Sequence, residues 1–295
     1  MISKETLTYF SQLACKALLN EVSLTPKPGL VDCSNNGAHD DMTIMTFLES
    51  SLALMPHFNR YIEIGYQSYQ DDPKNLFEKL RQEGILAEKA MFTATNGVNT
   101  HKGVNFSFAL ILGATGSYLA QHPHIDEHYH FTSRDSHAIC QLIIPMTKHL
   151  IAQDLSHLEE KKQLTNGEKL YIKYGIKGPR GEASQGYPSL TQKALPYLRE
   201  LSEIETDKRI LQLRLLLYLM SFVEDANLIH RGGIEAMYQV QSEIKSYLQK
   251  ESSTKALITF LTDYNQILIN RHLSPGGAAD LLALSLYFAF LEKLL

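Results

Sequence analysis

The chain has 295 residues, enough for one large domain or two small ones around a buried core. A hydrophobic fraction of 44% is that of a soluble globular protein, and a formal net charge of −4 argues against a nucleic-acid partner. Three widely separated cysteines, Cys15, Cys33 and Cys140, show no metal or redox spacing and suit a reducing cytosol.

From the N-terminus, Lys4 and Glu5 stand where a signal peptide needs its apolar stretch, so a cytoplasmic protein is expected. Leu7, Phe10, Ala14, Ala17 and Leu18 then fall on one face of an amphipathic helix. Similar patterns run through 43–68, with a kink expected at Pro56, and through 76–94, 101–121, 134–152 and 190–203. They continue through 208–223, 233–250, 254–270 and 275–294. Alternating strand patterns are nearly absent. The predicted fold is all-α, a single globular multi-helix domain over 1–295, with the active site built from glycine-bearing loops at helix junctions.

The 101–121 segment contains Gly113, Ala114 and Gly116, and Gly costs helix propensity unless neighbouring backbones approach closely. Asn105, Ser107, Thr115 and Ser117 make it a poor membrane span, so it is read as a buried central helix with no membrane partner. The histidine-rich stretch His122 to His137 lacks ligand spacing and is read as a solvated loop.

Five polar, glycine-bearing strings punctuate these helices: TPKPGLVDCSNNGAHDDM from Thr25, GVNTHKG from Gly97, GPRGEASQGYP from Gly178, DANLIHRGG from Asp225 and LSPGGAADLLAL from Leu273. Glycine lets backbone N–H groups approach an anion, and a helix N-terminus adds partial positive charge. Together the strings imply one polyphosphate pocket assembled from several helix ends. In the last string Ser274 is a natural N-cap and Pro275 suits the first helical position, with Asp280 about one turn in. Thr100 is positioned to cap a helix whose first turn holds His101 and Lys102. Asp225 and Asn227 are oxygen ligands of the kind hard cations prefer, and Arg231 offers a fork for phosphate. The Gly178 string reads as a mobile flap carrying Arg180 and Glu182, closed by a Ser189/Gln192 capping box. No nucleophile elbow, Walker loop or dinucleotide fingerprint is present.

In this order, the strings resemble those of the triphosphoribosyl-dephospho-coenzyme A synthase family, from Glu21 to Leu284. The resemblance implies an all-helical cytoplasmic enzyme that takes ATP and 3′-dephospho-coenzyme A and releases adenine. Its product is the precursor of the prosthetic group of the citrate lyase acyl carrier protein, or in a related branch serves malonate decarboxylase. Two positions depart from the expected pattern: no basic residue stands beside Cys33, and Ala226 replaces a Thr before Asn227. Glycosyl transfer to a hydroxyl needs a carboxylate near the reacting centre and a proton donor for the leaving base. Asp32 is expected as general base, with Glu182 as runner-up and His39 as a further catalytic candidate. Lys27, Lys102, Arg180 and Arg231 are expected around the triphosphate, with Gly103, Gly232, Gly233, Gly276 and Gly277 at the helix starts. Asn35, Asn36, Asn99, His101 and His230 are expected on substrate, and Asp225, Asn227 and Asp280 on a Mg²⁺ that arrives with ATP. Another helical Mg²⁺-dependent nucleotide enzyme and a non-catalytic nucleotide sensor are the competing readings. A homodimer stays open.

Overall fold

A computed structural model describes residues 2–156, 158–250 and 253–295, and every regular element among them is a helix. Helix α4 (Lys102–Gln121) is the axis of the molecule. Helices α2 (Ile44–Gln67) and α3 (Pro73–Ala94) pack on one side of it, and α1 (Lys4–Ser23) and α13 (Gly276–Leu291) complete the layer around α2 and α4. The glycines explain how α2 and α4 come so close. A Cβ at Gly65 would lie 1.9 Å from the Gly113 carbonyl oxygen, and one at Gly116 would lie 2.0 Å from that of Ile62. The Ser117 hydroxyl donates to the Gly65 carbonyl at 3.0 Å across the same contact. Small residues in α4 therefore exchange intrinsic helix propensity for backbone-to-backbone packing. Although α4 is long and apolar enough to cross a membrane, 83% of its most apolar window is buried within the protein. Helix α2 continues through Pro56 as a single element.

Beyond α4 the helical periods need revision. The 134–152 pattern divides into α5 (Ser133–Met146) and the short α6 (Leu150–Asp154), with Pro145 at the junction. A helix the periodicity does not reveal, α7 (Asn166–Tyr174), is held by a reciprocal cap: Thr165 N donates to Glu168 at 2.8 Å and Glu168 N donates back to Thr165 Oγ1 at 3.3 Å. The Gly178 string is not an irregular flap, since its first part forms α8 (Gly178–Ser184). Ser189 does not cap with Gln192 either; its N–H and hydroxyl both donate to Glu182, at 3.0 and 2.7 Å. A π-helical turn over Ser189–Ala194 leads into α9 (Leu195–Ile204). Pro196 has no N–H to donate four residues back, and Leu195 N instead reaches the Leu190 carbonyl.

Helices α10 (Lys208–Met220), α11 (Ala226–Leu248) and α12 (Thr254–Asn270) complete the chain between α9 and α13. Helix α11 begins at the Asp225 string rather than after it, and Gly233 interrupts it with φ of 80°. The first loop is seated on α12: Gly29 N donates to Asn265 Oδ1 at 2.8 Å, and a Cβ at Gly29 would strike the Leu273 carbonyl oxygen at 2.3 Å.

Candidate active site

All five strings contribute to the wall of one cavity of about 870 Å³. That volume falls in the range of small-molecule sites. Lys27 and His39 come from the first string, His101 and Gly103 from the second, Glu182 from the third, Asn227 and Arg231 from the fourth, and Gly276 and Asp280 from the last. Helix ends converge here because each string lies where an apolar helical stripe stops.

Several carboxylates have structural tasks that their position in the sequence conceals. Asp32, expected as general base, is buried and does not line the cavity. Its oxygens accept from Thr25 Oγ1 (2.8 Å), Lys27 N (2.9 Å), Ser34 N (2.7 Å) and Asn35 N (3.0 Å). With those lone pairs engaged it organises the loop and has no free oxygen to take a substrate proton. Asn35 belongs to the same scaffold, accepting from Gly37 N at 2.8 Å, while Asn36 is exposed outside the cavity wall.

Asp225, expected on Mg²⁺, caps two helices at once. One oxygen accepts from Asn227 N and Leu228 N at the start of α11, at 2.9 and 3.1 Å, and the other accepts from Ala278 N of α13 at 3.0 Å. Burial pushes its pKa up to about 6 against the pull of these N–H groups. The Asn227 amide packs on the first turn of α13, where a Cβ at Gly276 would lie 2.3 Å from Nδ2. Gly276 and Gly277 therefore make room for these caps. Ser274 is not the cap of α13, because its hydroxyl lies 2.9 Å from His39 Nε2. No group of three His, Cys, Asp or Glu residues among those described is arranged to hold a metal ion. With Asp225 engaged on amides, the trio of Asp225, Asn227 and Asp280 does not fit a resident cation.

Asp280 differs from these. It sits deep in the protein yet opens on the cavity, and a Cβ at Gly103 would lie 2.5 Å from its Oδ2. Burial first, then the carboxylates of Asp225 and Glu21, raise its pKa well above the ordinary aspartate value. Glu21 is buried and pairs with the buried Lys27 on the same wall. Desolvation raises the Glu21 pKa despite that partner. Glu182 is the remaining acid expected in a catalytic role. Its bonds to Ser189 and the nearby Lys193 only partly offset the burial that raises its pKa.

The cations are redistributed by helix phase. Lys102 points away from the cavity to Glu88 at 2.6 Å, and Arg180 pairs with Asp154 at 2.9 Å. Lys177 and Lys193, which the strings did not single out, line the cavity instead and are exposed at its mouth. Lys177 directly precedes the third string, so its position was available in the sequence; Lys193 lies inside an amphipathic pattern and carried no signal. Arg231 lines the cavity and staples its rim, donating to the carbonyls of Ala38 at 2.8 Å and His272 at 3.2 Å and to His39 Nδ1 at 3.0 Å. A guanidinium can only donate, so His39 Nδ1 accepts and Nε2–H donates to Ser274. Burial and Arg231 lower the His39 pKa and favour the neutral ring, and with its proton on Nε2 that ring turns no lone pair toward Ser274 to activate it as a nucleophile. Asn99 and His230 are exposed on the cavity wall, whereas Gly232 and Gly233 lie outside it. Gly232 packs instead, since a Cβ there would meet Leu273 Cδ2 at 2.7 Å.

Buried acids at the inner end of a cavity in an all-helical chain, with cations at its mouth, make a site suited to a phosphorylated ligand. Sequence comparison supplies the family. Residues 8–295 match the model of the CitG family, ATP:dephospho-CoA triphosphoribosyl transferase, and the chain belongs to that family. It is 59% identical to a probable 2-(5″-triphosphoribosyl)-3′-dephosphocoenzyme-A synthase of Streptococcus mutans serotype c over 296 residues, covering all of both chains. A protein of the same name from Streptococcus pyogenes serotype M3 is 59% identical over 295 residues, again with full coverage. No solved structure matches.

Proposed function

We propose that this chain transfers the 5-triphosphoribosyl group of ATP to the 2′-hydroxyl of 3′-dephospho-coenzyme A and releases adenine. The product is 2′-(5″-triphosphoribosyl)-3′-dephospho-coenzyme A, which on the family resemblance supplies the prosthetic group of the citrate lyase acyl carrier protein. Both substrates are cytoplasmic nucleotides, in keeping with a cytoplasmic enzyme. The observation that carries the reading is the gradient inside one cavity, from the carboxyls of Glu21, Asp280 and Glu182 within to Lys177, Lys193 and Arg231 exposed at the mouth.

In this mechanism the C1′–N9 bond of ATP breaks and its electron pair stays with adenine. The 2′-oxygen of dephospho-coenzyme A bonds to C1′ as its proton moves to Glu182, and the Asp280 carboxyl gives its proton to a ring nitrogen of the departing base. A raised pKa suits both tasks, because it makes Glu182 a stronger base and holds the proton more firmly on Asp280. The triphosphate is retained, so the mouth cations bind it without assisting P–O cleavage. Mg²⁺ enters as part of the MgATP substrate, on phosphate oxygens.

The test is to incubate the protein with MgATP and dephospho-coenzyme A and to measure adenine and inorganic phosphate. Stoichiometric adenine with no phosphate release is expected. Phosphate without adenine would assign the chain to nucleotide hydrolysis, and tight ATP binding without either product would make it a sensor.

A further inference from the structure

The proton position of His101, which also lines the cavity, follows from its neighbours. The residue is 3% exposed and lies at the start of α4. The Thr100 hydroxyl donates to Ser50 Oγ at 2.7 Å, and Ser50 Oγ lies 2.6 Å from His101 Nδ1. Ser50 is fully buried, so its own hydroxyl proton needs an acceptor, and Nδ1 is the one at hand. That direction along Thr100, Ser50 and His101 leaves the ring proton on Nε2. Nε2 has no partner in the protein, although it is buried and its ring lines the cavity. An unpaired buried donor carries a desolvation penalty of about 1–3 kcal/mol, which a ligand acceptor removes.

The surroundings define that acceptor. Burial and the Lys27 ammonium lower the His101 pKa to about 3, so the ring is neutral throughout the working range. A neutral N–H suits an uncharged acceptor better than a phosphate, and the cations for phosphate stand at the mouth. The Phe47 ring meets His101 edge-on at 5.0 Å. Phe47, Val31 and Met42 belong to a small apolar cluster separate from the main core, and all three line the cavity. An apolar wall beside a fixed neutral donor is complementary to a flat heteroaromatic ring with nitrogen acceptors. Asp280 stands against Gly103, two residues along the chain from this donor.

We propose that His101 is the base-recognition residue of this site: its Nε2–H, oriented by Ser50, donates to a ring nitrogen of the adenine of ATP, which lies against Val31, Met42 and Phe47. The assignment to the leaving adenine, rather than to the adenine of dephospho-coenzyme A, rests on the proposed reaction and on the neighbouring Asp280.

Calorimetric binding of free adenine and of its 1-deaza, 3-deaza and 7-deaza analogues tests this without turnover, so it stands apart from whether the chain catalyses the transfer. Wild-type protein is expected to bind adenine and to lose about 3–10-fold in affinity when the contacted nitrogen is replaced by carbon, the magnitude of one neutral hydrogen bond. His101→Ala should weaken adenine by a similar factor and bind that deaza analogue no worse than adenine, while His101→Gln should restore part of the difference. In steady-state assays His101→Ala should raise KM for ATP and leave KM for dephospho-coenzyme A unchanged. Absence of adenine binding to the wild type, equal affinities for all four bases, or a deaza penalty that persists in His101→Ala overturns the proposal. A rise confined to KM for dephospho-coenzyme A overturns the assignment to ATP. The wild-type series decides even if the variants fail to fold.

Discussion

At the scale of single residues, the carboxylates divide by what their oxygens already accept. Asp32 accepts two backbone N–H groups from the loop that follows it and one from Lys27, so Asp32→Asn loses acceptor capacity at the centre of the loop. Each buried N–H left without a partner costs about 1–3 kcal/mol. The variant is expected to melt several degrees lower. Glu182→Gln should melt no lower than wild type, since burial already disfavours the charged carboxylate, and should lose about 10²–10⁴-fold in turnover, as removal of a positioned base does. Near-normal turnover of Glu182→Gln, measured as adenine release, would refute its role. Asp280 couples activity to stability. Its folded pKa lies above its unfolded value, so the native state holds a proton that the unfolded chain releases. Its contribution to stability is therefore fully present below the ordinary aspartate pKa and is lost as pH rises toward the raised folded value. Asp280→Asn removes that loss, so its melting temperature relative to wild type should climb as pH rises above the ordinary aspartate range, while turnover of ATP falls. A difference that shrinks with pH would contradict the burial argument.

At the scale of helices, period and glycine placement made most of the architecture readable. Gly113 and Gly116 signalled a close crossing, and the partner backbone of α2 is indeed in contact there. Gly65→Ala would drive a Cβ into the Gly113 carbonyl, at 1.9 Å, and is expected to cost about 3 kcal/mol or more. Gly84→Ala in α3 meets only the Tyr61 hydroxyl, at 3.8 Å, and should stabilise by about 0.5–1 kcal/mol through helix propensity. Thermal or urea unfolding of the two variants distinguishes packing from propensity, and matching signs would refute this account. The limits of legibility also lie at this scale. That five strings share a pocket could be read from their common chemistry. Which way each side chain turns could not, because one residue of helix phase separates a cavity wall from solvent. Lys102 and Gly103 are adjacent, yet one faces Glu88 and the other Asp280. The sequence around Asp225, followed by Asn227 and Leu228, fits an N-cap as well as a ligand set, and only the positions of Ala278 and Asn227 in space decide between them.

Across the whole molecule, the cavity gathers residues from α1 to α13, so substrate binding tightens contacts remote in sequence. Here the double cap at Asp225 has a mechanical meaning. Because one carboxylate grips the first turns of both α11 and α13, those helices cannot part without breaking the cap on α13. They form the fixed jaw of a clamp. Beside α11, whose His230 Nε2 lies 3.4 Å from Asn166 Nδ2, the segment from α7 to α8 turns through Gly175 and Gly178, both left-handed with open space where a Cβ would stand; it carries Lys177 and forms the other jaw. Admission of two large nucleotides then falls to this jaw. Backbone amides over 166–178 are expected to exchange with deuterium faster than those over 226–231 and 276–281, and to slow at least about tenfold with both substrates bound, as local opening of low stability does. Equal protection of the two walls in the free protein would mean that the clamp has no moving side.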